Sequence, residues 1–188
     1  MSDLTLGAMM AERTGQAAES DDLAAFEALM RQHERLVLVT ALRLLGNLPD
    51  AQDASQEVFL RLYRNLGKIA EERALAGWLY RVTVNVCHDQ RRRRRDTTPM
   101  EAAGDIPSSG ADPQQLTAEA ERSRVLRMSL SILSEKERAA LVLRDLEGLS
   151  TEEVAQVLGS SEGTVRSQIS QARIKMRDFI ERHCRRRK

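Results

Sequence analysis

The chain has 188 residues, of which 41% are hydrophobic and 30% charged, with a formal net charge of +1. This length allows one large domain or two small domains with buried cores. No apolar stretch is long enough to cross a bilayer, the first 22 residues lack a signal-peptide pattern, and two cysteines cannot form a secreted disulfide framework. These features predict a cytoplasmic protein without membrane insertion.

The near-neutral total hides a strong segregation of charge along the chain. Residues 1–30 carry a net charge of −5 and residues 96–121 a net charge of −6, whereas residues 81–95 carry +5 and residues 163–188 carry +7. Two basic clusters are therefore separated by an acidic connector. Such clusters indicate two surfaces that face a polyanion.

An acidic N-terminal extension over residues 1–21 precedes the first predicted element, and it is expected to be disordered or to mask the basic surfaces. Three helices follow within residues 22–95, because apolar residues recur at three- and four-residue steps over 26–44, 50–67 and 75–95. The third helix ends in five consecutive arginines, which indicate a nucleic-acid-binding surface on a structured domain. The alternative interpretation is a solvated tail. Trp78 is expected in the core.

Residues 96–121 interrupt the helical pattern and predict a flexible acidic linker. No periodicity occurs there, and the segment contains three of the four prolines. The breakers of regular structure in this segment are Pro99, Gly104, Pro107, Gly110 and Pro113.

The second half, residues 122–182, also predicts helices and is followed by a basic tail over residues 183–188. Ser134 with Glu137, and Ser150 with Glu153, have the spacing of capping boxes that begin helices. No stretch alternates apolar and polar residues over a length that would indicate a β-strand. The predicted fold class is all-α, with two small helical domains joined by the acidic linker.

The segment from Thr151 to Met176 has the pattern of a helix-turn-helix. Ala155 allows two helices to approach, Gly159 tolerates a left-handed turn, and Val165 packs the second helix. That helix exposes polar and basic side chains that can reach base edges or phosphates, although an ordinary helical hairpin with a polar face is the alternative.

These segments together resemble the sigma-70 family of RNA polymerase factors. Residues 50–63 (DAQDASQEVFLRLY) resemble region 2.2, residues 78–85 (WLYRVTVN) with the following arginines resemble regions 2.3 and 2.4, and residues 149–173 resemble region 4. No residues remain for the extra domains of housekeeping factors. The resemblance is therefore to the compact extracytoplasmic-function (ECF) group.

The resemblance implies a non-enzymatic factor that binds core RNA polymerase through the β′ clamp helices and the β-flap, and directs transcription initiation at promoter DNA in response to a stress or envelope signal. The region 2.2 residues expected to contact the polymerase are Asp53, Gln56, Glu57 and Arg64. The residues expected to melt and hold the −10 element are Lys68, Arg73, Tyr80, Arg81, Asn85, Asp89, Arg91 and Arg92.

Region 4 is expected to read the −35 duplex with the second helix of the helix-turn-helix. The residues that match this role are Thr164, Arg166, Ser167, Gln168, Ser170, Gln171, Arg173 and Lys175. The resemblance further implies an anti-sigma factor as a partner, and a path for the acidic linker toward the RNA exit channel, where a −6 segment would occupy a site built for RNA.

One departure from the family pattern affects the recognition helix. Many relatives carry arginine where this chain has Gln168 and Gln171. Arginine favours guanine or phosphate, whereas glutamine pairs with adenine. We therefore expect an altered −35 preference and a shallower salt dependence.

Other functions find less support in the sequence. No Gly-rich phosphate loop, metal-ligand cluster or catalytic constellation occurs, so no catalytic residue, metal or cofactor is expected. A paired Cys/His site formed by Cys87-His88 and His183-Cys184 is an alternative to two ordinary thiols. The main alternative function is a stand-alone helix-turn-helix regulator that binds promoters without polymerase.

Overall fold

The computed structural model describes residues 26–65, 72–97 and 118–185, without the side chains of residues 72–74, 95–97, 118, 119 and 184. All regular elements in these ranges are helical, which confirms the all-α prediction. The α-helices are α1 (26–45), α2 (Leu48–Tyr63), α3 (Glu72–Thr97), α4 (Ala118–Ser131), α5 (Glu135–Leu141), α6 (Thr151–Leu158) and α7 (Glu162–Arg185), with a π-helix (Val142–Leu146) after α5.

The first half packs α1, α2 and α3 around an aliphatic core. Val37 of α1, Val58 and Leu62 of α2, and Leu79 of α3 are fully buried. Trp78 packs against this core, as the sequence predicts. Helix α2 begins at Leu48, two residues earlier than its apolar pattern suggests. The reason is a cap: the side chain of Asn47 accepts a hydrogen bond from the backbone N–H of Asp50.

The second half is built on two capping boxes, both in the predicted positions. Ser134 and Glu137 cap α5, and Ser150 and Glu153 cap α6. In each box the serine hydroxyl accepts from the glutamate backbone N–H, and the glutamate carboxylate accepts from the serine backbone N–H. These boxes fix where each helix starts, so that α5 and α6 can both pack against the long helix α7.

A π-helix over Val142–Leu146 directly continues α5, the helix that the capping box at Ser134 begins. The backbone N–H of Glu147 donates to Val142 O at 2.9 Å, and that of Leu149 donates to Leu143 O at 3.1 Å. These hydrogen bonds span more residues than those of an α-helix. They change the spacing of the apolar residues too little for the π-helix to be predicted from the sequence. The segment matters because Asp145 lies in it, and Glu147 follows it.

The two halves are in direct contact, which the sequence does not predict. Helix α3 packs against α6. At another point of contact between the two halves, the side chain of Arg138 is buried. It donates four hydrogen bonds to backbone carbonyls, at distances of 2.7 to 3.0 Å. Three acceptors, Leu130, Ser131 and Leu133, lie at the end of α4, and the fourth, Leu44, lies at the end of α1.

Several predicted segments lie wholly or partly outside the described residues. These are the N-terminal extension 1–21, Lys68, most of the linker 96–121, and the end of the basic tail. Helix α3 continues to Thr97 and α4 begins at Ala118, so both enter the predicted linker. Helix α7 continues to Arg185, beyond the expected boundary at 182.

Candidate nucleic-acid and polymerase interfaces

Helices α6 and α7 form a helix-turn-helix. Gly159 ends α6 with φ of +59°, a left-handed conformation that a side chain disfavours, and the Ser161 hydroxyl accepts a hydrogen bond from the Thr164 backbone at the start of α7. Ala155 and Val165 are buried at the helix crossing. The turn therefore holds α7 as the outward-facing second helix of the motif.

The outward face of α7 carries most of the residues predicted to read the −35 element. The exposed members are Thr164, Arg166, Ser167, Ser170, Gln171, Arg173 and Lys175. Gln168 is half-buried, and its Oε1 atom is buried without a hydrogen-bond partner among the described residues. The Thr164 hydroxyl also lies 2.8 Å from that of Ser161. Three of the exposed residues, Arg166, Ser170 and Arg173, line one groove on this helix.

A shallow groove of about 580 Å³ runs along this face and is lined by four arginines. Arg166 and Arg173 are among the predicted residues, whereas Arg144 of the π-helix and Arg177 of α7 are not. Arg177 follows Arg173 by one helical turn, so the helical period of α7 was a sufficient signal to find it. Four guanidinium groups around one groove form a surface suited to DNA phosphates.

Arg173 is held by a carboxylate at the edge of this groove. Its Nε and Nη2 atoms donate to the two carboxylate oxygens of Asp145 at 2.9 and 2.7 Å. These hydrogen bonds and the carboxylate charge raise the pKa of Arg173 above its usual value. The bidentate pair orients the guanidinium, and it places one negative charge next to the groove.

Lys175 has a different environment from the other predicted −35 residues. Its Nζ atom donates to both carboxylate oxygens of Glu137, at 2.7 and 2.9 Å. The hydrogen bond from Lys175 is the largest cause that lowers the pKa of Glu137. Lys175 therefore links α7 to the capping box of α5, and its contact with DNA stays a prediction.

Helix α3 presents the residues predicted to hold the −10 element. Arg81, Asn85 and Arg92 are exposed at spacings of four and seven, which places them on one helical face. Asp89 lies 3.5 Å from Arg92, and Arg91 is half-buried. Arg94, from the same arginine run, pairs with Asp50 at the start of α2. The side chain of Arg73 lies outside the part of the chain that the structure describes.

Two of the predicted −10 residues contact the second half of the chain. The Tyr80 hydroxyl lies 3.5 Å from Glu147 Oε2, and burial together with the nearby carboxylate raises the pKa of Tyr80 to about 12. The Nη2 atom of Arg81 donates to the backbone carbonyl of Gln156 in α6 at 2.6 Å. These side chains are engaged within the chain itself.

The outer face of α2 combines polar residues with exposed apolar ones. Asp53, Gln56 and Arg64 are exposed, and Glu57 pairs with Arg61 at 2.7 Å. Leu60 and Tyr63, which were not among the predicted residues, also lie on this helix with about half of their surface exposed. Exposed apolar side chains within a polar face are typical of a protein-binding surface.

No group of three or more His, Cys, Asp or Glu side chains within the described ranges is arranged to hold a metal ion. Cys87 is buried in α3, where burial raises its pKa to about 12, and the side chain of Cys184 lies outside the described residues. No described helix is long and apolar enough to cross a membrane.

Family models match both halves of the chain. Sigma-70 region 2 matches residues 29–97, and Sigma-70 region 4 matches residues 123–176. The chain is 36% identical over 186 residues to the ECF RNA polymerase sigma factor SigE of Mycolicibacterium smegmatis, covering 97% of this chain and 70% of that one. It is 33% identical over 168 residues to the RNA polymerase sigma-H factor of Pseudomonas aeruginosa, covering 84% and 87%.

Two solved structures share the fold. The sigma factor RpoE of Bartonella quintana, in complex with the anti-sigma factor NepR, aligns with a TM-score of 0.63 at 21% identity, covering 84% of this chain and 97% of that one. CnrH in complex with the cytosolic domain of CnrY aligns with a TM-score of 0.63 at 24% identity, covering 88% and 94%. At these identities the likeness concerns the fold.

Proposed function

The chain belongs to the extracytoplasmic-function sigma factors of RNA polymerase, and from this membership we propose which of its surfaces performs each step of initiation. As a sigma factor it binds core polymerase and directs it to promoter DNA. The assignment of surfaces is supported by one observation. The same chain presents a basic face on its helix-turn-helix and a separate face on α2 that is partly polar and partly apolar. The stand-alone regulator is not favoured, because it does not account for the match to region 2.

The outer face of α2 is the proposed docking site for the polymerase clamp. Asp53, Gln56, Glu57 and Arg64 supply directional contacts, and exposed Leu60 supplies apolar area between them. Residues 53, 56, 57, 60 and 64 share one side of the helix, which follows from its 3.6-residue period. An apolar centre inside a polar rim is the usual anatomy of a protein interface.

The exposed face of α3 is the proposed site for the melted −10 element. Arg81 and Arg92 supply positive charge for phosphates, and Asn85 lies between them with an amide that can both donate and accept hydrogen bonds to an unstacked base. Lys68, which precedes α3, and Arg73, in the first turn of α3, are proposed to contribute to the same site, as the family resemblance implies.

The exposed face of α7 is the proposed reader of the −35 duplex. Arg166, Ser170 and Gln171 are exposed on this helix and are proposed to contact base edges, as a recognition helix does. The groove arginines, including the added residues Arg144 and Arg177, are proposed to contact phosphates on either side. Asp145 orients Arg173 for this contact.

Further features follow from family membership and are proposed on that ground. The chain acts in the cytoplasm, where core polymerase and promoter DNA are found, and it performs no catalysis itself. An anti-sigma factor is proposed to regulate it, as the sigma factor RpoE of Bartonella quintana is found in complex with the anti-sigma factor NepR. The acidic linker occupies a path built for the transcript.

A single set of variants tests the assignment of surfaces. Leu60→Ser is expected to weaken assembly with core polymerase, Asn85→Ala to block strand separation after assembly, and Arg166→Gln to weaken promoter binding before strand separation. Arg31→Gln, which removes an exposed ion pair on α1, is the control. Full initiation by all three variants, or identical promoter binding with and without core polymerase, would contradict the assignment.

A further inference from the structure

The four arginines that line the α7 groove have different partners. Arg166 and Arg177 pair with carboxylates of α7 itself. Arg144 and Arg173 instead bond to atoms of residues 142–149, the segment that comprises the π-helix and the turn before α6. Two of the groove arginines are therefore anchored to an element that is separate from the recognition helix.

Asp145 anchors Arg173 from the less exposed side of the pair. The Asp145 side chain is 26% exposed, whereas that of Arg173 is 61% exposed. The carboxylate accepts from Nε and Nη2 and so engages one edge of the guanidinium. The Nη1 atom lies away from that edge, and its N–H groups are the ones that can donate to a phosphate oxygen of DNA.

The backbone carbonyl of Leu149 anchors Arg144. It accepts a hydrogen bond from Arg144 Nη1 at 3.0 Å, and the N–H of the same residue donates to Leu143 O at 3.1 Å. Before it, Gly148 has a φ of +82°, a left-handed conformation that turns the chain back toward the π-helix. Leu149 is bonded to the segment through both of its backbone polar groups, so its carbonyl oxygen offers Arg144 a fixed acceptor.

The π-helix brings two consecutive residues to the same groove. Arg144 lines the groove, and Asp145 reaches Arg173 at its edge. Each hydrogen bond of a π-helix spans one more residue than that of an α-helix, and such turns are frequent at functional sites. With α-helical hydrogen bonds, the end of this segment would be rotated about the helix axis relative to its start. The hydrogen-bond pattern of the segment is therefore part of how the groove is built.

We propose that the segment 142–149 is a positioning element for promoter DNA, which holds Arg144 and Arg173 in place before the duplex binds, and that Asp145 is its positioning residue. This inference rests on the proposed function, in which the groove faces the −35 duplex. A carboxylate beside a DNA site ordinarily weakens binding, because it repels phosphates. Asp145 strengthens binding, since an arginine that is already ordered loses less side-chain freedom when it contacts DNA.

Asp145→Asn tests this role by the sign of its effect. The change removes a negative charge with little change of shape, so electrostatics alone predicts tighter binding to DNA. Glu152→Gln is the matched control, because it removes an exposed carboxylate next to Thr151 of the groove wall and makes the same change in charge. The full-length chain is titrated into a labelled mixed-sequence DNA duplex, and fluorescence anisotropy gives the affinity at several salt concentrations.

We expect Asp145→Asn to weaken binding of the duplex by about two- to tenfold, the range that corresponds to the freedom of one long side chain. Glu152→Gln should bind as tightly as the wild type or slightly more tightly. Asp145→Glu keeps the charge but moves the carboxylate, so it should also weaken binding. Urea denaturation shows whether each variant is folded, and the second substitution at position 145 keeps the test decisive if the first does not fold.

A double-variant comparison shows whether Asp145 acts through Arg173. In the Arg173→Gln background, Asp145→Asn should no longer weaken binding, because the side chain that Asp145 orients is absent. A general effect on the fold would weaken binding by the same factor in both backgrounds. The same comparison for Gly148→Ala in the Arg144→Gln background tests the second anchor, since a side chain at this positive φ strains the turn that holds the Leu149 carbonyl.

Binding by Asp145→Asn and Asp145→Glu that equals or exceeds that of the wild type, or an equal loss with and without Arg173, would overturn the positioning role. Arg166→Gln and Arg173→Gln are measured alone to test the groove itself. Weaker binding by these two variants, with unchanged binding by Asp145→Asn, contradicts the positioning role alone. Unchanged binding by both would contradict the proposed assignment of the groove to DNA.

Discussion

Arg138 reaches across 94 positions of sequence to Leu44, where its Nη1 atom lies 2.9 Å from the backbone carbonyl oxygen. The guanidinium is buried, and its other three hydrogen bonds also go to carbonyls near a helix end. The negative ends of α1 and α4 therefore compensate a buried positive charge. One side chain satisfies four backbone acceptors and links both halves of the chain.

Arg138→Met is expected to destabilise the chain by about 2–4 kcal/mol, because it leaves buried carbonyls without a donor. Arg138→Lys should not restore the wild-type stability, since an ammonium group cannot donate to four acceptors spread around a planar fork. Lys136→Met, an exposed neighbour on the same helix, is the control. Urea denaturation measures all three, and a wild-type midpoint for Arg138→Met would refute the prediction.

Glu137 makes stability depend on pH in the acid range. Its folded-state pKa is lowered, first by the hydrogen bond from Lys175, so its contribution is present above the unfolded pKa of about 4.3 and is lost as pH falls through the folded pKa. Glu137→Gln is expected to cost about 1–2 kcal/mol at neutral pH. The difference from wild type should shrink below about pH 4 in thermal unfolding.

Glu153→Gln is the matched control for this pH dependence. Glu153 occupies the equivalent position in the capping box of α6, and its pKa is also lowered by Ser150, but it is fully exposed and has no lysine partner in the described contacts. We expect a smaller loss of stability. An equal loss in both variants would assign the effect to the cap instead of to Lys175.

Arg177 is expected to contribute to phosphate binding without reading bases. Arg177→Gln is expected to weaken binding of the −35 duplex by a similar factor for all sequences, and to reduce the slope of log affinity against log salt by about 0.9. Arg127→Gln, on the exposed side of α4 and outside the groove, should leave the slope unchanged. Fluorescence anisotropy at several salt concentrations tests this, and a change in base preference would contradict it.

Gln171 is expected to set part of the −35 preference. Gln171→Arg should steepen the salt dependence by about 0.9 and shift selection at the contacted position toward guanine, because a guanidinium group matches the acceptors of guanine. Gln171→Lys adds the same charge without the bidentate geometry. It should steepen the salt slope with a smaller shift in preference. A duplex selection that returns the same motif for the wild type and both variants would refute this role.

Leu60 is expected to contribute to polymerase binding. Leu60→Ser should weaken assembly with core polymerase by about tenfold, a loss typical of an apolar contact at the centre of an interface. Leu48→Ser is the matched control, because Leu48 is equally exposed at the start of the same helix but on a different side. Competition binding measures both variants. Equal losses for the two would contradict the assignment of this face.

The sequence predicted the features that depend on local chemistry. Ser134 and Ser150 cap helices because a glutamate follows each at the third position, and Gly159 ends α6 because it tolerates a positive φ. The helix-turn-helix and the packing of half-buried Trp78 against the core follow from periodicity. These signals lie within a few residues of the structure that they predict.

The features that the sequence did not predict depend on contacts between distant residues. Arg43 meets Glu147 across 104 positions, and Arg173 meets Asp145 across 28. The π-helix after α5 has no periodic signature that separates it from an α-helix. The distribution of charge along the sequence indicates the basic segments. It does not show that the Lys175 side chain pairs with Glu137 instead of extending into solvent.

Transcription from a genomic promoter library by purified core polymerase, with and without the full-length chain, tests whether this chain directs polymerase to promoters. If the chain acts as a sigma factor, a defined set of start sites should appear only when the chain and core polymerase are both present. The Arg166→Gln variant should lose these start sites. No specific start sites in the complete mixture, or equally tight binding of the same promoters by the chain alone, would contradict the account.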